Sequence, residues 1–146
     1  MIVQTVKFPN SPDEAVEEFG RIRPLLDKFF TETNNGTSEI LSTELAVILW
    51  HSYMLDFVEL LNDDGERVGI LVANIVDNTT TGKRTATIAF GYVEPEYRGK
   101  GWFSKMLEHA VSVFRARRVD YIDITVNSDQ ECKVGKLHSK IYRLEV

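Results

Sequence analysis

The sequence is poor in cysteine, in long apolar runs and in basic charge, and each shortage closes off a class of protein. Its one cysteine, Cys132, cannot close an internal disulfide. A disulfide-stapled scaffold is therefore excluded, and a reducing compartment is the expected setting. No stretch approaches the roughly 18 apolar residues of a membrane span. The start, MIVQTVKFPNSPDE, has neither the basic opening nor the apolar core of a secretory signal. A cytoplasmic protein without a membrane partner is expected. The net charge of −5 gives no basic face of the kind that displaces counterions from nucleic acid, so no nucleic-acid partner is expected either. The only short basic run, Arg115-Ala116-Arg117-Arg118, suits cations at a helix C-terminus, and a phosphate or partner contact is the other reading. No set of side chains has metal-ligand spacing, so no metal is expected.

What is present suits one globular domain spanning residues 1–146. Hydrophobic residues make up 43% and charged residues 27%, enough to bury a core at this length without help from a disulfide or metal. Residues 2–8, IVQTVKF, read as a strand. Ser11-Pro12-Asp13-Glu14 is a helix start with a serine cap, a proline in the first turn and a glutamate three residues after the cap. Val16, Phe19 and Ile22 form an apolar stripe, and Pro24 is expected to break or restart the helix. Residues 41–52 look helical. Residues 53–61, 66–76 and 84–93 then read as an antiparallel meander, its first turn marked by Asp64-Gly65. A helix from Trp102 and a strand over 119–126 follow as a right-handed crossover unit, the strand parallel to the one before the helix. A short helix around Val134–Lys140 comes next, and Tyr142–Val146 is either a last strand or the end of that helix.

The chemistry concentrates between Val93 and Phe103. Two glycines flanking a lysine at a strand-to-helix junction let the backbone turn tightly and approach a ligand without a Cβ in the way. The first helix amides then have no partner and, with the helix dipole, make an anion site. Arg98 and Lys100 add positive charge, so phosphate or diphosphate is the natural guest. On spacing alone the pattern also suits a plain tight turn with solvated charges. The Lys-Ser/Thr pair of a P-loop is missing, and the glycines fall too late for a dinucleotide fingerprint.

The phrase Tyr92-Val93-Glu94-Pro95-Glu96-Tyr97-Arg98-Gly99-Lys100-Gly101 resembles the signature of the GNAT superfamily of N-acetyltransferases, in which a valine-x-proline-glutamate strand end leads to Arg/Gln-x-x-Gly-x-Gly/Ala at a helix start. The order of elements agrees over about residues 2–126. The resemblance implies a mixed, mostly antiparallel α/β sheet with helices on both faces and a splayed pair of parallel strands. It implies acetyl-coenzyme A as co-substrate, direct transfer to an amine, and a small molecule or peptide as acceptor. Tyr92 and Val93 would offer backbone groups to the pantetheine arm. The amides from Arg98 through Gly99, Lys100, Gly101, Trp102 and Phe103 would hold the diphosphate, with a hydroxyl from Ser104. Gly91 suits a bulge or a close approach of ligand, and the gap between Tyr92 and residues 124–127 would house the acyl group. The leaving thiolate would take a proton from a general acid: His138 stands where the family often has tyrosine, with Tyr142 one turn on. A solvent-facing histidine is the other reading.

Three departures from the family pattern matter. Phe103 fills the last small position of the signature, where it either crowds the diphosphate or turns into the core. The strand before the signature, Thr85–Val93, carries no carboxylate to act as general base. The chain stops at Val146 where relatives usually add a helix and two strands, which implies an open acceptor side or a partner, such as a second copy, completing the sheet. A domain that has lost catalysis and serves as a binding or structural module is the alternative these departures favour. Asp56, Glu59 and the helices over 14–53 are where acceptor contacts are to be sought.

Overall fold

The computed structural model describes residues 1–7, 9–33, 47–48, 50–52 and 55–124. Strand β1 (Ile2–Thr5) is followed by helix α1 (Pro12–Thr33), strands β2 (Leu55–Leu61), β3 (Arg67–Asn78) and β4 (Lys83–Val93), helix α2 (Trp102–Ala116) and strand β5 (Tyr121–Ile124). Among the described residues these five strands form one sheet in the order β1-β2-β3-β4-β5. All neighbours are antiparallel except β4 and β5. The expected mixed sheet with one parallel pair is therefore present.

The helices lie on opposite faces, each above its own apolar cluster. Phe19, Ile22, Leu25, Leu26 and Phe30 of α1 pack with Phe57, Ile70, Val72 and Tyr92 on one face. Met106, Ala110 and Phe114 of α2 pack with Leu60, Leu71, Ala73 and Ile88 on the other. The division follows the two-residue alternation of side chains along each strand. Trp50, in helical backbone, is 1% exposed and stacks obliquely on Phe57 with ring centroids 4.9 Å apart.

The start of α1 is capped as its sequence requires: Ser11 Oγ accepts from the Glu14 amide at 3.2 Å. The Glu14 carboxylate turns back to the amide of Asn10 at 2.7 Å. Pro24 does not break the helix, contrary to the sequence expectation; α1 runs through it unbroken. A proline inside a helix costs about 3 kcal/mol. Here the apolar stripe stays in phase on both sides of it, and burying Phe19 and Ile22 before it and Leu25, Leu26 and Phe30 after it outweighs that cost. Val16 is not part of the stripe. It is 50% exposed, and Ala15 takes the buried place.

The carboxylates of β2 are engaged inside the fold rather than free for an acceptor. Asp56 pairs with Arg117 at the end of α2, and burial pushes its carboxyl upward against the pull of that guanidinium. Glu59 accepts from Gln4 at 2.7 Å and from Arg67 Nε at 2.7 Å, and Arg67 also pairs with Glu18 of α1 at 2.5 Å. His109 of α2 meets Thr5 Oγ1 at 2.9 Å, tying that helix to β1. No helix among the described residues is long and apolar enough to cross a membrane.

Candidate functional site

The site is built where β4 hands the chain to α2. After Val93, Glu94 still donates to Val68 O of β3 at 2.8 Å. Pro95–Tyr97 then form one tight 3-10 turn. Two glycines follow in left-handed backbone, Gly99 at φ 75° and Gly101 at φ 80°. Side chains other than glycine adopt that region only at a cost. Gly101 is the residue from which α2 springs, and no side chain caps the helix there.

This arrangement leaves a row of donors without acceptors. The Arg98 amide is satisfied by Pro95 O at 3.2 Å. Among the described residues no acceptor meets the amides of Gly99, Lys100, Gly101, Trp102, Phe103 or Ser104; the first helical bond is Lys105 N to Gly101 O at 3.1 Å. A Cβ placed on Gly99 or Gly101 would meet nothing within 4 Å, and residues 98–101, 103 and 104 are exposed, so the loop lies open to solvent. Lys100 and Ser104 are both exposed. Unpaired amides at the positive end of a helix, with a cation beside them and room in front, bind an anion such as phosphate.

Arg98 works differently from the sequence expectation. Its guanidinium holds both oxygens of Glu32 on α1 at 2.9 Å. Its Nε donates to Val93 O at 2.6 Å, and its plane lies over the Tyr92 ring at 5.1 Å. The side chain thus ties the loop to α1 instead of facing the open space. The Tyr92 hydroxyl sits near Glu32 and Glu94; burial, and then those two carboxylates, push it up, so it stays protonated at neutral pH. Trp102 is half-buried with the Lys105 ammonium 4.3 Å from its ring centroid.

Strand register decides which backbone groups face the edge of β4 away from β3. Glu94 bonds to β3, so by alternation Tyr92 also turns its amide and carbonyl to β3, opposite Ile70. Val93 and Gly91 turn theirs to the other edge. Of the two predicted backbone donors, Val93 therefore faces that edge and Tyr92 does not. The bulge that the sequence suggests at Gly91 lies two residues earlier. Val72 pairs with Phe90 and Ala73 with Ile88, which leaves Ala89 as the extra residue. Parallel pairing with β5 is described from Thr85↔Tyr121 to Ile88↔Ile124. From Val93 back to Ala89, β4 offers a track of about 13 Å. The strand splay expected beyond that pairing involves residues after 124, which lie outside the described ones, as do His138, Tyr142 and Cys132.

Phe103 does not enter the core. It is 42% exposed, and its ring lies over Gly91. One functional candidate escaped the sequence reading. In register, Asn74, Thr87 and Asp123 stand side by side across β3, β4 and β5, so Asn74 and Asp123 are about 10 Å apart. Their row lies on the sheet face that carries α1, opposite Ile75, Ala86 and Ile122 of the other cluster. The Asn74 Oδ1 atom is buried without a hydrogen-bond partner among the described residues, and Asp123 is exposed. Only the strand register, which a sequence does not print, places this carboxylate beside β4.

A family model described as the acetyltransferase (GNAT) family matches residues 20–137. No curated protein sequence matches the chain. Several solved structures share the fold. A ribosomal-protein-alanine N-acetyltransferase from Brucella melitensis biovar Abortus 2308 superposes with a TM-score of 0.67 at 14% identity, over 99% of this chain and 100% of that one. A probable acetyltransferase gives 0.74 at 16%, over 100% and 98%. An aminoglycoside acetyltransferase from an uncultured soil metagenomic sample, in complex with sisomicin, gives 0.68 at 12%, over 97% and 96%.

Proposed function

The chain belongs to the acetyltransferase (GNAT) family, and from that premise we propose that it transfers an acetyl group from acetyl-coenzyme A to an amine by direct attack. One observation carries this reading: the amides of residues 99–104, in a loop open to solvent at Gly99 and Gly101, have no acceptor among the described residues. The residues present fit a diphosphate, and when bound the coenzyme supplies the acetyl thioester.

The work of the chain's own residues follows from their placement. The 99–104 amides, with Lys100 and Ser104, hold the diphosphate oxygens. Val93 N–H and the backbone of Gly91, turned away from β3, orient the arm along the track toward the bulge at Ala89. Asp123, in register with Thr87, receives the proton that an acceptor ammonium must lose before it can attack, a task β4 has no carboxylate to perform. Asn74 Oδ1 and the Thr87 hydroxyl stand on the same row and suit an N–H donor. His138, with Tyr142 four residues further along the sequence, would return a proton to the departing sulfur.

Calorimetric titration with acetyl-coenzyme A tests the donor half, and thiol release with polyamine, aminoglycoside and peptide acceptors tests transfer. Lack of heat with acetyl-coenzyme A would remove the proposal. Asp123→Asn is expected to lower kcat about a hundredfold with little change in donor affinity. The loss should shrink as pH rises, because the amine then arrives deprotonated. An unchanged rate near neutral pH takes Asp123 out of the reaction. His138→Ala is expected to lower turnover about tenfold or more and leave affinity near that of wild type, and an unaltered kcat retires that assignment.

A further inference from the structure

The track along β4 has one side chain standing over it. A Cβ built on Gly91 would lie 2.3 Å from Cε2 of the Phe103 ring, 3.2 Å from Cζ and 3.3 Å from Cδ2. Real Cβ atoms do not approach so closely, so the ring occupies the volume that a side chain at 91 would need. Toward the core it has no room to give way. Leu71, directly opposite Gly91 on β3, belongs to the buried cluster on the α2 face, as does Met106, one turn further along the same helix. Both are fully buried. The remaining directions are solvent and the edge of β4 away from β3. The exposure of 42% marks that side as open.

We infer that Phe103 forms a wall of the acyl-donor channel, and that positions 91 and 103 are matched in size so that the ring stays seated on the strand and off the track. This rests on the acetyl-transfer reading. A phenylalanine where the family signature has a small residue is tolerated because the strand beneath it carries glycine. The ring then presents an apolar surface beside the Gly91 and Val93 backbone groups that orient the donor. An arm lying along that edge covers the exposed part of the ring and gains from burying it. A side chain at 91 removes the seat, and the neighbouring Leu71 and Met106 steer the displaced ring toward the track.

Three variants decide the matter: Gly91→Ala, Phe103→Ala and the double substitution, each titrated with acetyl-coenzyme A and melted. Gly91→Ala is expected to weaken binding about tenfold or more and to lower the melting midpoint only slightly, because the displaced ring tip moves outward rather than into a packed core. Phe103→Ala should weaken binding only a few fold, by loss of the wall. The double variant should bind like Phe103→Ala and melt above Gly91→Ala, since the inserted methyl then has room. Donor binding by Gly91→Ala as tight as by wild type overturns the inference, and so does a double variant as weak as Gly91→Ala. A wild type that binds no acetyl-coenzyme A sinks the acetyl-transfer reading and the wall with it. A wild type that binds, beside a Gly91→Ala that binds equally, sinks the wall alone.

Discussion

Gly101→Asp is expected to abolish acetyl-coenzyme A binding while leaving the fold as stable as before. The two halves of that outcome have opposite electrostatic origins. Gly101 has φ 80°, a conformation that aspartate accepts more readily than most residues. A Cβ there meets no atom within 4 Å, so nothing clashes. The residue is the N-cap of α2 and offers no side-chain cap. A carboxylate at that place meets the unpaired amides and the positive end of the helix, an effect typically worth 0.5–1 kcal/mol in favour of folding, roughly offsetting the strain. The same carboxylate occupies the ground that the diphosphate needs. Two like charges about 4 Å apart at an effective dielectric near 20 repel by about 4 kcal/mol. That corresponds to a loss of affinity of at least a hundredfold. Calorimetry and thermal melting on one sample read both effects. Undiminished binding by a folded Gly101→Asp chain would move the phosphate site elsewhere.

The parts of this site that were legible in the sequence are those where local backbone geometry dictates residue type. Gly99 and Gly101 announce themselves because a left-handed turn at a helix entrance excludes almost everything else. Ser11 and Glu14 mark the start of α1 for the same local reason. Pro24 misled because a local penalty was set against burial whose size depends on the sheet below, which the residue itself does not reveal. Arg98 looked like a phosphate ligand because its partner, Glu32, lies 66 residues away in sequence. The bulge at Ala89 and the row of Asn74, Thr87 and Asp123 are properties of register between strands, and register is fixed by the packing of whole faces. Phe103 offered two readings, and the structure removes the buried one, because its placement depends on what Gly91 lacks.

Arg67→Met should be the most destabilising single change among the ion pairs, and its effect should reach the phosphate loop. Arg67 is 16% exposed and stands between Glu59, 8% exposed, and Glu18, 18% exposed. Removing the guanidinium leaves two partly buried carboxylates beside an open polar groove, Glu59 with Gln4 at 2.7 Å and Glu18 with Arg21 at 2.9 Å as their remaining partners. Breaking a buried pair from one side costs about 3–5 kcal/mol, and the groove and the remaining partners put this one at the low end, still above the value of an exposed pair such as Arg21 with Glu17. For a chain of this length about 3 kcal/mol lowers the melting midpoint by roughly 6–12 °C. The double variant Glu59→Leu with Arg67→Met removes one stranded charge as well, and should recover much of the loss. Glu18 sits near one end of α1 and Glu32 near the other, so Arg67 and Arg98 anchor the same helix at two points. Loosening the first anchor shifts the platform from which Glu32 holds Arg98 and the loop. Arg67→Met should therefore also weaken acetyl-coenzyme A binding a few fold at temperatures where the chain is fully folded. A variant that melts lower yet binds the donor unchanged would show that α1 does not transmit strain to the loop.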